Sequence, residues 1–459
     1  MRVLVVGGGI AGLAAARRLE ALLPEAEVVV VERDLVVGGK IRTERVDGFV
    51  IEAAPDSFLS RKERGVGLCE ELGIAGQLVG RRPGHERTFV RRGGELHPLP
   101  AGLTGMIPTD LDALRGSALL SPEGRARLAA EIDVPPAPGL DDESLASFVT
   151  RRLGREAYEV LVEPLLAGIF GGDGSQLSLA ATFPQLRRIE LEHGSLIQGL
   201  LAQTAPTSGL PPFVTLRPGM DALVDALVAR LERTTLATGT RARSVSRSAS
   251  GFDVHVEGGE PLAAAAVVLA TPAFATAELV ADLDPALAAA HAEIRYSSSA
   301  IVTLAFRAGD VSHPLDGYGY VVPRVEASDV LACTWTSQKW QGRAPEGAVL
   351  VRVYAGRSGM RDVTLEPDDA LLALARGELA RLAIGAEPIL TRVQRWSLGM
   401  PQYVLGHPER LARIETMLAA HPGLAVAGAA YRGVGIPDCI RSGEAAAESV
   451  ARSLAGVPV

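Results

Sequence analysis

The stretch from Arg2 to Glu32 restricts the fold more than any other part of the chain. Val3–Val6 is a short run of β-branched and aliphatic residues, the pattern of a parallel strand buried on both faces. Gly7, Gly9 and Gly12 follow in the order Gly-x-Gly-x-x-Gly, and Leu13–Leu23 reads as an alanine-rich helix. Val28–Val31 is a second buried strand, closed by Glu32. Gly7 permits the tight turn, Gly9 admits a pyrophosphate close to the backbone, and Gly12 lets helix and strand touch. The helix N-terminus offers unpaired N–H groups and a positive dipole end to phosphate. Glu32 stands where a carboxylate accepts hydrogen bonds from a ribose and disfavours a 2′-phosphate. Strand, turn, helix, second strand and acid together predict dinucleotide binding; the alternative is a glycine-rich turn in some other α/β unit.

A chain of 459 residues suggests two or three domains with room for large cores. The net charge of -8 speaks against a general nucleic-acid binder. Cys69, Cys333 and Cys439 are widely separated, which fits neither a disulfide framework nor a zinc site, so no metal is expected and a reducing, cytoplasmic setting is. The uncharged run Val3–Ala16 fits a phosphate loop better than a signal peptide, because its glycines fall in the turn pattern. Another uncharged run, Leu262–Ala277, is too short to span a bilayer and contains Pro272, so no transmembrane segment is expected.

Beyond Glu32, Val37-Gly38-Gly39-Lys40-Ile41-Arg42 marks another close backbone approach, with Lys40 and Arg42 able to neutralise phosphate. This second glycine pair resembles the FAD-binding signature of amine-oxidase-like flavoproteins and favours FAD over NAD. Gly48–Glu52 reads as a strand and leads into Ala54-Pro55-Asp56-Ser57-Phe58. Residues from about 60 to 215 read as mainly helical, with helices at Arg64–Leu72, Ser144–Leu153 and Glu156–Leu166 and proline-rich connections such as Asp133–Gly139. Leu216–Met220 opens an amphipathic helix through Leu231, and strands are expected at Arg241–Arg247, Phe252–Val256 and Ala264–Leu269. From Ser297 to Trp396 the chain is strand-rich with one helix, Pro367–Leu382, which predicts an antiparallel sheet and a covering helix. Leu424–Ala427 is a short buried strand, a glycine-rich turn follows through Ile440, and Arg441–Leu454 is the last helix.

These segments together resemble the bacterial porphyrinogen oxidases, FAD enzymes of haem biosynthesis, and among them the coproporphyrinogen III oxidases of the Gram-positive pathway. The likeness runs almost end to end. It is carried by Gly7–Gly12, Val37–Ile41, Ala54–Phe58, Leu96–Pro100, Glu163–Gly168, Thr182–Gln185, Cys333–Ser337 with Trp340, Met400–Tyr403 with Gly406-His407, and Gly433–Ile440. The resemblance implies an α/β fold: a Rossmann-like FAD-binding domain, a mixed-sheet substrate domain and a helical insertion. The division expected is 1–85, 215–290 and 411–459 for the FAD domain, 86–214 for the insertion and 291–410 for the substrate domain. It further implies six-electron oxidation of coproporphyrinogen III to coproporphyrin III, with O2 as acceptor giving H2O2, and a transient contact with the ferrochelatase that collects the product.

By motif position, the FAD contacts are Gly7, Gly8, Gly9, Ile10, Ala11, Gly12, Glu32, Arg33, Gly39, Lys40, Ala54, Pro55, Asp56, Ser57, Ala242, Trp396, Gly433, Val434, Gly435 and Ile436. Ala54 departs from the family's usual glycine, which matters little where backbone atoms make the contacts. For substrate, Lys62 is placed to pair with a propionate, or else is a solvated lysine beside Arg61. Thr88 stands where animal and plant relatives tend to carry an arginine, which favours the coproporphyrinogen type. Gly319 and Val321 would face the macrocycle and Tyr354 the same cavity, with core packing as the alternative. His407 and His97 read as structural, and Cys439 as a packing residue. The other readings are a protoporphyrinogen IX oxidase, a flavin amine oxidase, and a non-catalytic carrier like the GDP-dissociation inhibitors.

Overall fold

A computed structural model describes residues 1–139, 142–203 and 209–456. Residues 140–141 and 204–208 of the stretch read as helical, and the 457–459 end of the last expected segment, lie outside them. Arg2–Val6 is the middle strand of a five-stranded parallel sheet in the order Thr234–Ala237, Glu27–Val31, Arg2–Val6, Ala266–Leu269, Leu424–Val426. Helices Ile10–Leu22, Asp221–Val228 and Ile436–Leu454 cover one face. Helices Ala273–Leu279, Pro285–Ala292 and His407–Leu418 cover the other. Burial on both faces is why these strands read as unbroken apolar runs rather than alternating ones. Parallel neighbours need crossovers, so the sheet draws its strands from three distant parts of the chain.

Helix Ile10–Leu22 begins earlier than the sequence pattern suggests, because extended Gly9 is already its N-cap. Gly12 therefore lies in the first turn, where an added Cβ would sit 1.9 Å from the Gly7 carbonyl oxygen. The last helix likewise starts at Ile436 rather than Arg441, with Pro437 in its first turn, where no N–H is needed. An added Cβ at Gly443 would lie 2.0 Å from the Ala11 carbonyl oxygen, so the first and last helices cross in direct contact.

The second sheet is seven-stranded, in the order Leu390–Pro401, Tyr296–Arg307, Ala348–Ala355, Val330–Thr334, Gly319–Val321, Phe89–Arg92, Glu95–Pro98. Its strands from Tyr296 onward pair antiparallel, and helix Asp368–Ala380 covers one face through Leu371, Ala375 and Leu379. Gly319–Val321 pairs in parallel with Phe89–Arg92, which makes the sheet mixed. Phe89–Arg92 and Glu95–Pro98 come from the stretch read as mainly helical. They form a hairpin over Gly93-Gly94, both at positive φ, the turn chemistry a tight hairpin needs.

The helical part packs around buried Phe148, Leu153, Leu161 and Leu196. The helix expected over Glu156–Leu166 is interrupted by a π-helical turn at Tyr158–Val162. The one expected to open at Leu216 starts at Asp221, because Phe213–Leu216 is a strand and Pro218-Gly219 a turn. Among the described residues, no helix is long and apolar enough to cross a membrane.

Candidate active site

The carboxyl ends of the parallel strands converge on one cleft, formed by the Gly7–Gly12 turn, the Gly38-Gly39 pair and the loop Gly428–Gly435, the place where open α/β sheets bind ligands. The Gly38 N–H donates to the Gly8 carbonyl at 2.8 Å and ties the first two together. The Glu32 carboxylate accepts the Gly8 N–H at 2.6 Å and the Asp34 N–H at 2.8 Å, and keeps acceptor capacity on each oxygen for a ribose.

Gly9 identifies the ligand class most clearly. A Cβ there would meet only the Gly39 Cα, at 4.0 Å, so packing does not require the missing side chain. What it leaves is an open approach to a helix N-terminus that no side chain caps. Ile10, Ala11 and Gly12 supply the first-turn backbone there. Lys40 follows Gly39 with an exposed side chain that, among the described residues, has no ion-pair partner and is free to meet a phosphate. Arg33 is exposed next to Asp34, and Ala242 begins the strand Ala242–Ser248 half-buried, opposite Val256. These groups fit a dinucleotide.

The segment Ala53–Ser57 is clamped between this cleft and the second sheet. Trp396 Nε1 donates to the Ala53 carbonyl at 2.9 Å, and Arg352 Nη2 to the Ala54 carbonyl at 2.8 Å. Asp56 receives Trp340 Nε1 at 3.0 Å, Lys339 Nζ at 2.9 Å and the Ser57 hydroxyl at 2.7 Å. Burial by itself would raise the Asp56 pKa; Lys339 and then Arg352 outweigh it and hold the carboxyl well below its usual range. Pro55 therefore sits in a backbone fixed on both sides.

Across the second sheet, Val321, Ala332, Tyr354, Ile301 and Gln394 stand in one row. Cys333, Val353, Val302 and Val393 point the other way, into the core under helix Asp368–Ala380. One end of the open face is plugged by Phe49 and Ile51, packed on Ala305 and Leu350. Farther along, Val321, Ala332, Tyr354 and Gln394 are only half-buried. Val321 also touches the helical core, as do Leu165, Phe183 and Val434. The second sheet and the glycine-rich loop thus both border the helical core. Burial pushes the Tyr354 phenol up to about 12, so it keeps its proton near neutrality.

The other expected substrate residues fall differently. Gly319 has φ +129°, and a Cβ there would lie 2.0 Å from the Cys333 carbonyl oxygen, so its bareness serves the neighbouring strand. Thr88 is half-buried just before Phe89, its carbonyl accepting the Leu99 N–H at 2.8 Å. Lys62 lies beside the glycine-rich loop: its Nζ is 2.5 Å from Asp438 Oδ2. Asp438 in turn accepts the N–H of Gly435, the residue before buried Ile436, at 3.1 Å. Gly433 has φ +119°, and a Cβ there would strike the Asp438 side chain.

Three participants escape a reading of motifs: Arg352, Lys339 and Asp438. Arg352 carried a usable signal, since a lone arginine inside Val349–Ala355 is a charge in a strand otherwise bound for the core. His407 is buried, stacks on Tyr403 at 4.2 Å between ring centroids, and donates Nε2–H to the Tyr431 carbonyl at 3.0 Å. Burial pushes its pKa down to about 4, and that of the Cys439 thiol up to about 12.

The sequence matches the model of the flavin-containing amine oxidoreductases over residues 10–451. It is 38% identical to a coproporphyrinogen III oxidase of Bacillus subtilis, over 97% of this chain and 96% of that protein. A coproporphyrinogen III oxidase of Staphylococcus aureus is 33% identical, over 98% of this chain and 99% of that one. A solved structure from Exiguobacterium sp. 255-15, described as a candidate protoporphyrinogen oxidase, superposes with a TM-score of 0.88 at 34% identity, covering 98% of both chains. The chain belongs to the flavin-containing amine oxidoreductases, in their porphyrinogen-oxidase branch, whose flavin cofactor is FAD.

Proposed function

We propose that this enzyme oxidises coproporphyrinogen III to coproporphyrin III, removing six electrons and passing them to O2 as H2O2. The observation that carries the reading is the half-buried row Val321–Ala332–Tyr354–Gln394 on the face of the sheet turned away from helix Asp368–Ala380, whose Val321 borders the same helical core as Val434 of the cofactor loop. A macrocycle that flattens as its saturated meso positions are oxidised suits such a face, and bound FAD would supply the acceptor for the two-electron steps. The protein's part is to orient and to keep water out. Val321 and Ala332 pack on the ring, and Tyr354 offers a phenol that remains a donor. Trp396 and Arg352 hold Ala53 and Ala54 in place through their carbonyls.

Lys62 remains the residue proposed for a substrate carboxylate. An ammonium has three donors, and the bond to Asp438 uses one. Thr88 and Gly319 lie instead at the second sheet, Thr88 just before the strand Phe89–Arg92 and Gly319 in its partner Gly319–Val321. The reaction needs no membrane span, and a cytoplasmic enzyme handing product to a ferrochelatase suits it. The test compares kcat/KM on coproporphyrinogen III and protoporphyrinogen IX. Preference for the tetracarboxylate is expected; preference for protoporphyrinogen overturns the choice of substrate, and turnover of amines alone overturns the reaction.

A further inference from the structure

The loop Gly428–Gly435 lies between the last parallel strand and the last helix, and its backbone is held largely from behind. The Tyr403 hydroxyl donates to the Ala429 carbonyl at 2.6 Å and accepts the Gly433 N–H at 2.8 Å, so one oxygen spans the loop. Tyr403 is 1% exposed and stacked at 13° on His407, which holds the Tyr431 carbonyl between those two points. The Gly428 N–H is taken by the Ser442 hydroxyl at 3.0 Å. The polar atoms on the rear of the loop are therefore used within the protein, which leaves its opposite side for a ligand. Tyr403 comes one residue, Gln402, after the strand Leu390–Pro401, which carries Trp396 and its bond to Ala53. One strand of the substrate sheet thus reaches both walls of the cofactor cleft.

We propose that the Tyr403 hydroxyl is a positioning group that sets the shape of the Gly428–Gly435 loop, and through it the seat of the FAD. The inference rests on the assignment of the cleft to FAD. A buried hydroxyl that serves two backbone groups leaves both unpaired when it is removed. The strand from the substrate sheet then loses its grip on the cofactor loop while its own pairing survives.

The experiment uses full-length Tyr403→Phe, with Tyr320→Phe as control. Tyr320 also spends a buried hydroxyl, on Glu378 at 3.0 Å, but on the helix-covered side of the sheet, away from the cleft. Each protein is deflavinated and titrated with FAD by fluorescence, and the reconstituted holoproteins are compared by flavin absorbance and midpoint potential. Expected for Tyr403→Phe is an FAD Kd raised about tenfold or more, the effect of losing such a bond pair. A displaced flavin band and potential should accompany it. Tyr320→Phe should lower the thermal midpoint and leave FAD Kd, band and potential as in the parent. A Tyr403→Phe protein with parental FAD Kd, band and potential overturns the proposal. So does an equal loss in both variants, which marks general destabilisation. Failure of the parent protein itself to bind FAD would instead overturn the cofactor assignment.

Discussion

At the N-terminal side of the cleft, the turn Gly7–Gly12 is shaped by contacts among its immediate neighbours: Gly12 against Gly7, Gly8 against Glu32, Gly38 against Gly8. At the C-terminal side, the loop Gly428–Gly435 is held by side chains: Tyr403 and His407 bind Ala429, Tyr431 and Gly433, and Asp438, paired with Lys62, accepts the Gly435 N–H. The first wall is made by the absence of side chains and the second by their presence. A wall of the first kind tolerates almost no addition of atoms. A wall of the second kind fails by losing partners, one increment at a time, and depends on pH wherever a partner titrates.

The largest effect should come from Gly12→Ala. The added methyl falls 1.9 Å from a backbone oxygen that cannot move without the strand. A destabilisation of about 3 kcal/mol is expected, with loss of bound flavin, read by thermal unfolding and visible absorbance. An unchanged melting curve would remove the claim that helix and strand touch there.

Asp438→Asn tests the other wall. It removes the charge that holds Lys62 and weakens the acceptor of the Gly435 N–H, at a cost of about 2 kcal/mol. Flavin should still bind, more weakly. Combining Lys62→Met with Asp438→Asn should add little to the stability loss of the single change, because the pair is already broken.

Gly9→Ala separates fold from ligand. Its methyl has room within the protein, so thermal stability without flavin should stay within about 0.5 kcal/mol of the parent. FAD affinity should fall by at least about tenfold, since the methyl stands in the approach to the helix N-terminus. Unchanged affinity would mean that the phosphates lie elsewhere.

The remaining effect is one of pH. His291 and His407, both buried behind the C-terminal loop, have pKa values pushed down to about 4 by burial. Unfolded, each binds a proton near pH 6.5; folded, neither does until about pH 4. Between these values the unfolded state holds more protons, so stability is full above about 6.5 and is lost as pH falls toward 4. The loss at pH 5 should be on the order of 2 kcal/mol per histidine. His291→Leu should flatten part of this acid limb in denaturant titrations at pH 7 and pH 5. An unaltered limb would place the acid sensitivity elsewhere.

Much of this molecule is readable along the chain. The parallel core strands and the glycine turn show themselves because each acts through neighbours in sequence: burial on both faces gives apolar runs, and close backbone approach demands glycine. The strand-rich second sheet and its covering helix are legible for the same reason. Glu32 and the second glycine pair are legible by their spacing after that turn, although both reach Gly8 from farther along the chain. The hairpin Phe89–Pro98 was hidden under a helical expectation for its surroundings, although Gly93-Gly94 marks its turn. Its place in the sheet depends on a parallel pairing with Gly319–Val321, which no local pattern announces.

The sequence by itself therefore determined the dinucleotide fold, the FAD signature and the family. Tertiary structure decided how the site is held. It gave Lys62 to Asp438, Gly319 to the Cys333 carbonyl, Asp56 to a cage of Lys339, Trp340 and Arg352, and the far loop to Tyr403. The reason is physical. A backbone turn records its requirement in its own residues, whereas a hydrogen bond or ion pair between distant segments records only that each end is polar. Which polar group meets which is settled when the strands pair and the helices close over them.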